Sequence, residues 1–342
     1  MQNKSMTLLK ILAAGLFGLA AILLSICIGS VYINIDDTLG ILGNKLFNMR
    51  LVDSIDKNMV SILWEVRIPR ALTAFFVGGA LAVSGLIMQS ILQNPLASSY
   101  TLGVSSGASL GAAILIVMGV GGTIWGFFLL PFVGFMCGFL TVLIVILIAS
   151  RIDEGLHNHT IILFGMVFSL FINAILTMIS ALNQSHMQRL ILWQMGTFSG
   201  KRWSHVAVIS IVTMIVLIIT SFFHKELDII SFGDEGAMSI GVNTRKTKII
   251  LIVLAAVFTG VSVCFAGVIG FVDLMVPHIV RKIYGYNHRI TIPMSMLVGG
   301  AFMSLCDLIA RVVLAPQDIP VGAITALLGG PFFLLVYFGG RK

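Results

Sequence analysis

The chain has 342 residues, 58% of them hydrophobic and 10% charged, with a net charge of +7 and a mean hydropathy of +1.05. Its 21 Lys and Arg and 14 Asp and Glu residues are too few to cover a water-facing surface around so apolar an interior, which excludes a soluble globular protein. The basic residues are scattered among short loops and termini and form no stripe, so nucleic acid is excluded as a partner.

Lys4 and Lys10 precede an uncharged run from Ile11 to Ile33. That run is longer than a signal-peptide core and no small-residue cleavage pattern follows it, so 8–32 is expected to be a first span. A loop at 34–61 comes next, with Asp36, Asp37, Asp53 and Asp56 beside Lys45, Arg50 and Lys57. From Ala71 to Ser150 no Asp, Glu, Lys, Arg or His occurs, a pattern of lipid-embedded chain. Breaks at glycine, proline and charge clusters divide this region into spans at 62–92, 99–119 and 124–149. Further spans are expected at 160–182, 206–223, 248–268, 270–285, 291–314 and 320–339, ten helices in all. The least certain division lies in 249–280, whose one charge is Asp273. At 1.5 Å per residue that run is too long for one crossing and short for two, and Gly267, Gly270 and Pro277 favour a turn and a short second helix. A second long loop, His224 to Thr247, is polar and helix-compatible around Gly233–Val242. One domain, 1–342, accounts for the whole chain.

With the N-terminus inside, twelve of the 21 basic residues fall on the cytoplasmic side and nine outside, and both basic termini share the inner side. The four cysteines, Cys27, Cys137, Cys264 and Cys306, lie in apolar runs without ligand spacing and read as small hydrophobes. Gly103, Gly107 and Gly111, and Gly78, Ala82 and Ser84-Gly85, keep helix faces small for close packing in lipid.

No residue set points to catalysis. The nearest approach to a phosphate loop, Gly196-Thr197-Phe198-Ser199-Gly200-Lys201-Arg202, is one residue short and lacks the magnesium-binding hydroxyl. His157 and His159 sit two apart with no acidic partner of clear spacing. Intramembrane charge is rare and costs about 2.5–3.5 kcal/mol per residue at a helix centre. Asp307 and Arg311, spaced i,i+4, are expected to pair with each other. Asp273 has no local partner, which keeps open an ion-coupled secondary carrier, and a polytopic membrane enzyme is a third alternative. Arg67-Ile68-Pro69-Arg70 opens the second span with two cations, either as an interfacial anchor or as a basic socket for an acidic extracytoplasmic partner, which Arg311 can join.

From about Trp64 onward the chain resembles the permease subunits of bacterial ABC importers for iron-siderophores, haem and cobalamin. The resemblance runs through RIPRALTAFFVGGALAVSG at 67–85, MQSILQNPLASSYTLGVSSGASLG at 88–111, LWQMG at 192–196, GVIGFVDLMVPHIVR at 267–281, NHR at 287–289 and CDLIARVVLAPQDIPVGAITALLGGPFF at 306–333. It implies an all-α polytopic membrane protein of type II ABC importer permease architecture, in a bacterial cell membrane with both termini inside. The implied partners are a second permease subunit, two cytoplasmic ATP-binding subunits and an extracytoplasmic substrate-binding protein. An iron chelate, most of all a ferric siderophore, is the implied substrate. ATP and magnesium belong to the partner ATPase, and no cofactor is expected on this chain.

The same resemblance assigns roles by position. Arg67, Arg70 and Arg311 match arginines that meet glutamates of the binding protein. Asn94, Leu96, Asn158 and His159 match a cytoplasmic gate. Asp234 and Glu235-Gly236-Ala237-Met238-Ser239-Ile240-Gly241 match the ATPase-coupling segment, with a glycine for one alanine. Asp273 stands where the family usually has glycine, and Asn287 where it has aspartate.

Overall fold

The computed structural model describes residues 4–29, 33–47, 56–120 and 126–339, and the regular structure among them is helical throughout. Arg50 and Asp53 of the first long loop lie outside the described residues. The helices in chain order are α1 (Lys4–Cys27), α2 (Ile35–Phe47), α3 (Lys57–Ser61), α4 (Ile68–Ile91), α5 (Val104–Val117), α6 (Gly126–Ile152), α7 (Asn158–Leu182), α8 (Met187–Met195) and α9 (Trp203–Phe222). After them come α10 (His224–Ile230), α11 (Asp234–Ser239), α12 (Thr244–Ala266), α13 (Val272–Tyr284), α14 (His288–Val312) and α15 (Val321–Gly339). A π-helical turn, Ile62–Arg67, joins α3 to α4 into one rod.

Seven of the described helical segments are long and apolar enough to cross a bilayer, and α5 and α15 are apolar but shorter. The expected spans all coincide with helices, with ends displaced by a few residues. Helices α2, α8 and α10 were not expected as separate elements. They are short, and their mixed polarity gives no long apolar run to detect. The ambiguous run 249–280 divides at 267–271. Gly267 has φ +79°, and a Cβ there would sit 2.4 Å from the carbonyl oxygen of Trp193, so both backbone and space require glycine.

The centre of the bundle is α4, buried along nearly all its length and packed by α12, α13 and α14. Its crossing with α14 is close because Gly78 faces Gly299. A Cβ on Gly78 would meet the Gly299 carbonyl oxygen at 2.3 Å. Gly107 and Gly111 do the same work on α5, facing Cys137 and Thr141 of α6. By contrast α7, α9 and the described part of α1 turn mostly apolar side chains outward.

Two ends of the bundle are defined by α1, which at 1.5 Å per residue is about 36 Å long. Near its N-terminus Lys10 Nζ donates to the carbonyl of Ile283, at the end of α13. Its C-terminal carbonyls, at Ser25, Ile26 and Cys27, receive arginine side chains.

Candidate functional site

At that second end, the arginine end, three guanidinium groups gather below the surface: Arg67 is 4%, Arg70 8% and Arg311 7% exposed. Buried charge requires partners, and each arginine has them within the chain. Arg67 Nη1 donates to the carbonyls of Ile26 at 3.2 Å and Cys27 at 3.0 Å. Arg70 holds Asp307 through Nε, at 3.0 Å to both carboxylate oxygens, and through Nη2 at 2.8 Å, while its Nη1 holds Asp318 at 2.8 Å. Arg311 Nη2 donates to the Ser25 carbonyl and, at 2.9 Å, to the Ser25 hydroxyl. The expected i,i+4 pair of Asp307 and Arg311 therefore does not form. The forked guanidinium of Arg70 presents two donors to the Asp307 carboxylate and takes it from the neighbour on the same helix.

At the opposite, lysine end, the polar segment of α10 and α11 is tied to the bundle at two points. Lys248, on the first turns of α12, is fully buried, and its ammonium reaches three acceptors. They are Asp234 Oδ2 at 2.5 Å, Asn158 Oδ1 at 2.7 Å and the Leu156 carbonyl at 3.3 Å. One cation thus joins a residue expected in the coupling segment to a residue expected in the gate. The second tie starts at Asp228 of α10, whose Oδ1 accepts from the backbone N–H of His288 at 2.8 Å and from its Nδ1 at 2.6 Å. His288 Nε2 is 2.7 Å from the Ser90 hydroxyl on α4. Arg281 of α13 then donates to Gln89 Oε1 at 2.5 Å and to Ser90 at 3.3 Å, and Gln89 Nε2 donates to the carbonyls of Asp273 and Leu274, both at 3.2 Å.

Asp228, His288 and Ser90 have the distances of a nucleophilic triad, but the serine is buried inside α4 and also bonds the carbonyl of Leu86 at 2.8 Å. The Ser90 hydroxyl is thus engaged by both α4 and His288, and the same contacts tie α10 to α4 and α14. The same Ser90, His288 and Asp228 line a cleft of about 540 Å³ that includes Gln93, Asn94 and Pro95 and is flanked by Phe232, 91% exposed, and Tyr286.

The other expected site residues are placed as follows. Asn94 and Leu96 turn on each other after α4, Leu96 N–H donating to Asn94 Oδ1 at 2.9 Å. His159 begins α7 and stacks on His157, with ring centroids 5.7 Å apart. His157 does have an acidic partner, Asp153 four residues earlier, at 2.9 Å. Hydrogen bonds from Thr160 and from the backbone and ring of His157 hold Asp153 well below the usual carboxylate range.

Helix α11 carries Asp234 and Glu235 in its first turn, where the helix dipole favours acids, and ends at Gly241 with φ +89°. Ala237 is fully buried against its own chain, so the outward face consists of Glu235, Gly236, Met238, Ser239 and Ile240. A groove of about 850 Å³ runs beside α11, between it and Gly155, His157 and Arg245.

Asp273 lies at the start of α13, 2% exposed, accepting a hydrogen bond from the Ser98 hydroxyl through Oδ2. In the near phosphate loop at 196–202 the Thr197 N–H is turned inward, donating to the Ala266 carbonyl at 2.8 Å. Reading the sequence residue by residue missed Lys248, Asp228, His288, Arg281, Gln89 and Ser90. A polar residue inside or at the edge of an apolar run was the available signal, and it did not reveal which partners three-dimensional packing supplies.

The FecCD transport family matches residues 16–338 of this chain. The hemin transport system permease protein of Yersinia pestis is 36% identical over 300 residues, covering 84% of this chain and 86% of that protein. An uncharacterized ABC transporter permease protein of Bacillus subtilis is 32% identical over 326 residues, 94% of this chain and 92% of its own length. Among solved structures, an inward-facing metal-chelate type ABC transporter superposes with a TM-score of 0.82 at 27% identity, over 96% of this chain and 98% of that one.

Proposed function

The chain belongs to the FecCD transport family, and from that premise we propose that it forms the membrane path of an ATP-driven importer of ferric siderophores. The match over residues 16–338 carries the reading, because it spans the arginine end, the lysine end and the helices between them. Relatives named for hemin, for Fe(3+)-citrate in Bacillus subtilis and for vitamin B12 in Salmonella bound the chemistry to metal chelates. In this reading the chain crosses the membrane ten times, with α5, α13 and α15 as the short crossings and both termini in the cytoplasm. The exposed apolar faces of α7 and α15 meet a second permease subunit.

Transport follows from the two ties at the lysine end. An ATPase subunit holds α11 by its outward face, and a push on α11 reaches α7 and α12 through Asp234, Lys248 and Asn158. A push on α10 reaches α4, α13 and α14 through Asp228, His288, Ser90 and Arg281. The gate residues Asn94 and Leu96 directly follow α4, and Asn158 and His159 open α7, so nucleotide-driven motion outside the membrane changes access within it. The binding protein docks at the arginine end. Arg67, Arg70 and Arg311 are held below the surface and Asp307 and Asp318 offset two of their three charges, so they act on its glutamates chiefly as the remaining net positive field, which raises the association rate.

The test is uptake of a ferric siderophore, haemin and cobalamin by vesicles carrying the permease, its ATPase and its binding protein. Siderophore uptake is expected to need ATP and to persist when proton and sodium gradients are collapsed. Gradient-driven uptake without ATP would sink the proposal in favour of a carrier based on Asp273, and preference for haemin or cobalamin would move the substrate within the ABC reading. Asp273→Asn keeps an acceptor for Ser98 and removes the titratable proton, so uptake is expected to survive it.

A further inference from the structure

A groove of about 550 Å³ opens between α6 and α9, with α12 as its floor. That volume falls within the range of small-molecule sites, ~300–1,000 Å³. Phe128, Phe132 and Phe135 of α6 form one wall, Val208 of α9 the other and Val261 of α12 the base, and almost no polar atom reaches the interior. Phe128 and Phe132 are mostly exposed at its flank, so the groove is open sideways, where a spanning protein meets acyl chains. Its long axis follows the spanning helices. From His205 to Val212 along α9 it extends for about 10 Å at 1.5 Å per residue.

The upper rim has different chemistry. Trp203, the first residue of α9, donates through Nε1 to the Trp64 carbonyl at 3.0 Å, and the two indoles lie 5.0 Å apart. Lys45 Nζ stands 5.8 Å from the Trp64 ring. Paired tryptophans with a lysine mark the level of the lipid headgroups. Lys201 and Arg202 immediately precede Trp203, and the charges of both reach His205 on the groove's rim. Lys201 is half-buried, and no described residue offers it an acid or a hydrogen bond. Burial with no anion beside it pushes its ammonium down to about 8.

We propose that this groove binds an anionic glycerophospholipid of the leaflet on the arginine side, with one acyl chain along α6, α9 and α12 and the headgroup phosphate against Lys201. The occupant follows from the combination: a carbon-lined slot parallel to the membrane normal, opening to lipid, with an unpaired cation at headgroup height. An extended peptide would leave backbone groups unsatisfied in such a slot. The inference needs only that the chain spans a membrane and is independent of the transported substrate.

The experiment is native mass spectrometry of the full chain, extracted from nanodiscs of equal parts phosphatidylglycerol and phosphatidylcholine. The unaltered chain is expected to retain phosphatidylglycerol in preference. Lys201→Gln should cut that preference roughly fivefold, the effect of losing one cation near an anionic headgroup. Val208→Trp, which fills the slot from an exposed position, should lower retention of the bound lipid while the thermal midpoint stays unchanged. Equal retention of both lipids by the unaltered chain, or an unchanged preference in both variants, would overturn the proposal. So would a change of oligomeric state in Val208→Trp with lipid retention intact, which would assign the groove to a second copy of the chain.

Discussion

At the arginine end, the acids that hold buried cations are Asp307, within α14, and Asp318, in the connection to α15, so their bonds to Arg70 of α4 join spanning segments to one another. At the lysine end the acids are Asp228 and Asp234, on the short surface helices α10 and α11, so the bonds join spanning segments to elements outside the bundle. Burial sets one pair apart. Asp307 is fully buried, whereas Asp318 at the same end keeps 34% of its side chain exposed and Asp234 and Asp228 keep 21% and 30%. An ion pair sealed on both sides fixes a crossing. One whose acid reaches the surface can be moved by whatever grips that surface.

The largest effect is expected where the seal is complete. Arg70→Met strands a carboxylate with no route to water, which costs about 3–5 kcal/mol. The thermal midpoint of the purified chain should fall steeply, and adding Asp307→Leu should recover most of the loss. If Arg70→Met alone leaves stability unchanged, Arg70 is not a brace and its charge is available for direct docking. For the same reason, replacing Arg67, Arg70 and Arg311 by glutamate would damage folding before it reported on docking, because Arg70→Glu faces Asp307 directly.

A smaller loss of stability and a larger loss of function are expected for Lys248→Met. Asp234 can rehydrate, so the cost is about 1–3 kcal/mol. The link from α11 to α7 and α12 is cut, however. The ATPase should still assemble, while its stimulation by loaded binding protein and the uptake rate fall at least about tenfold, an order of magnitude expected of a severed coupling element. Asp228→Ala should act in the same direction through α10. Full stimulation in both variants would mean that the two ends differ only in exposure and that force enters elsewhere.

Next in size is the outward face of α11. Ile240→Asp changes a side chain that is 65% exposed and touches no core, so stability should hold while ATPase assembly, measured by co-purification, declines. Ala237→Trp is no test of docking, since Ala237 points into the chain and the indole would displace the helix from within.

The comparison also shows what was legible without coordinates. Spans were readable because lipid imposes composition over some 20 consecutive residues, and a run such as Ala71–Ser150 has no other physical explanation. Helix α11 was readable from its acids and from Gly241, which are local signals. The partners of Arg70, Lys248 and His288 were not. They lie 237, 14 and 60 positions away, and hydropathy carries no information about which helices become neighbours. Where a local rule was applied to a long-range question it failed. Asp307 and Arg311 have the spacing of a pair, and a better donor on α4 took the acid.

The smallest effect is expected at Asp153, which lies at the lysine end but belongs to neither tie. Its carboxylate accepts from the N–H groups of Gly155 at 3.0 Å and His157 at 2.9 Å, closing the turn between α6 and α7. These bonds favour the ionised form, so the folded-state pKa lies below the unfolded one. The resulting stability is present above the ordinary aspartate value of ~3.9 and is lost as pH falls through the lower folded value. Asp153→Asn should therefore lower the thermal midpoint slightly near neutral pH, and the gap to the unaltered chain should close as the solution is acidified below ~3.9. Because no bond runs from Asp153 to α10 or α11 among the described residues, ATPase stimulation should be untouched. A variant that keeps its midpoint yet loses stimulation would extend the coupling path into the α6–α7 turn and would dissolve the distinction between a local cap and a transmitting bridge at this end of the molecule.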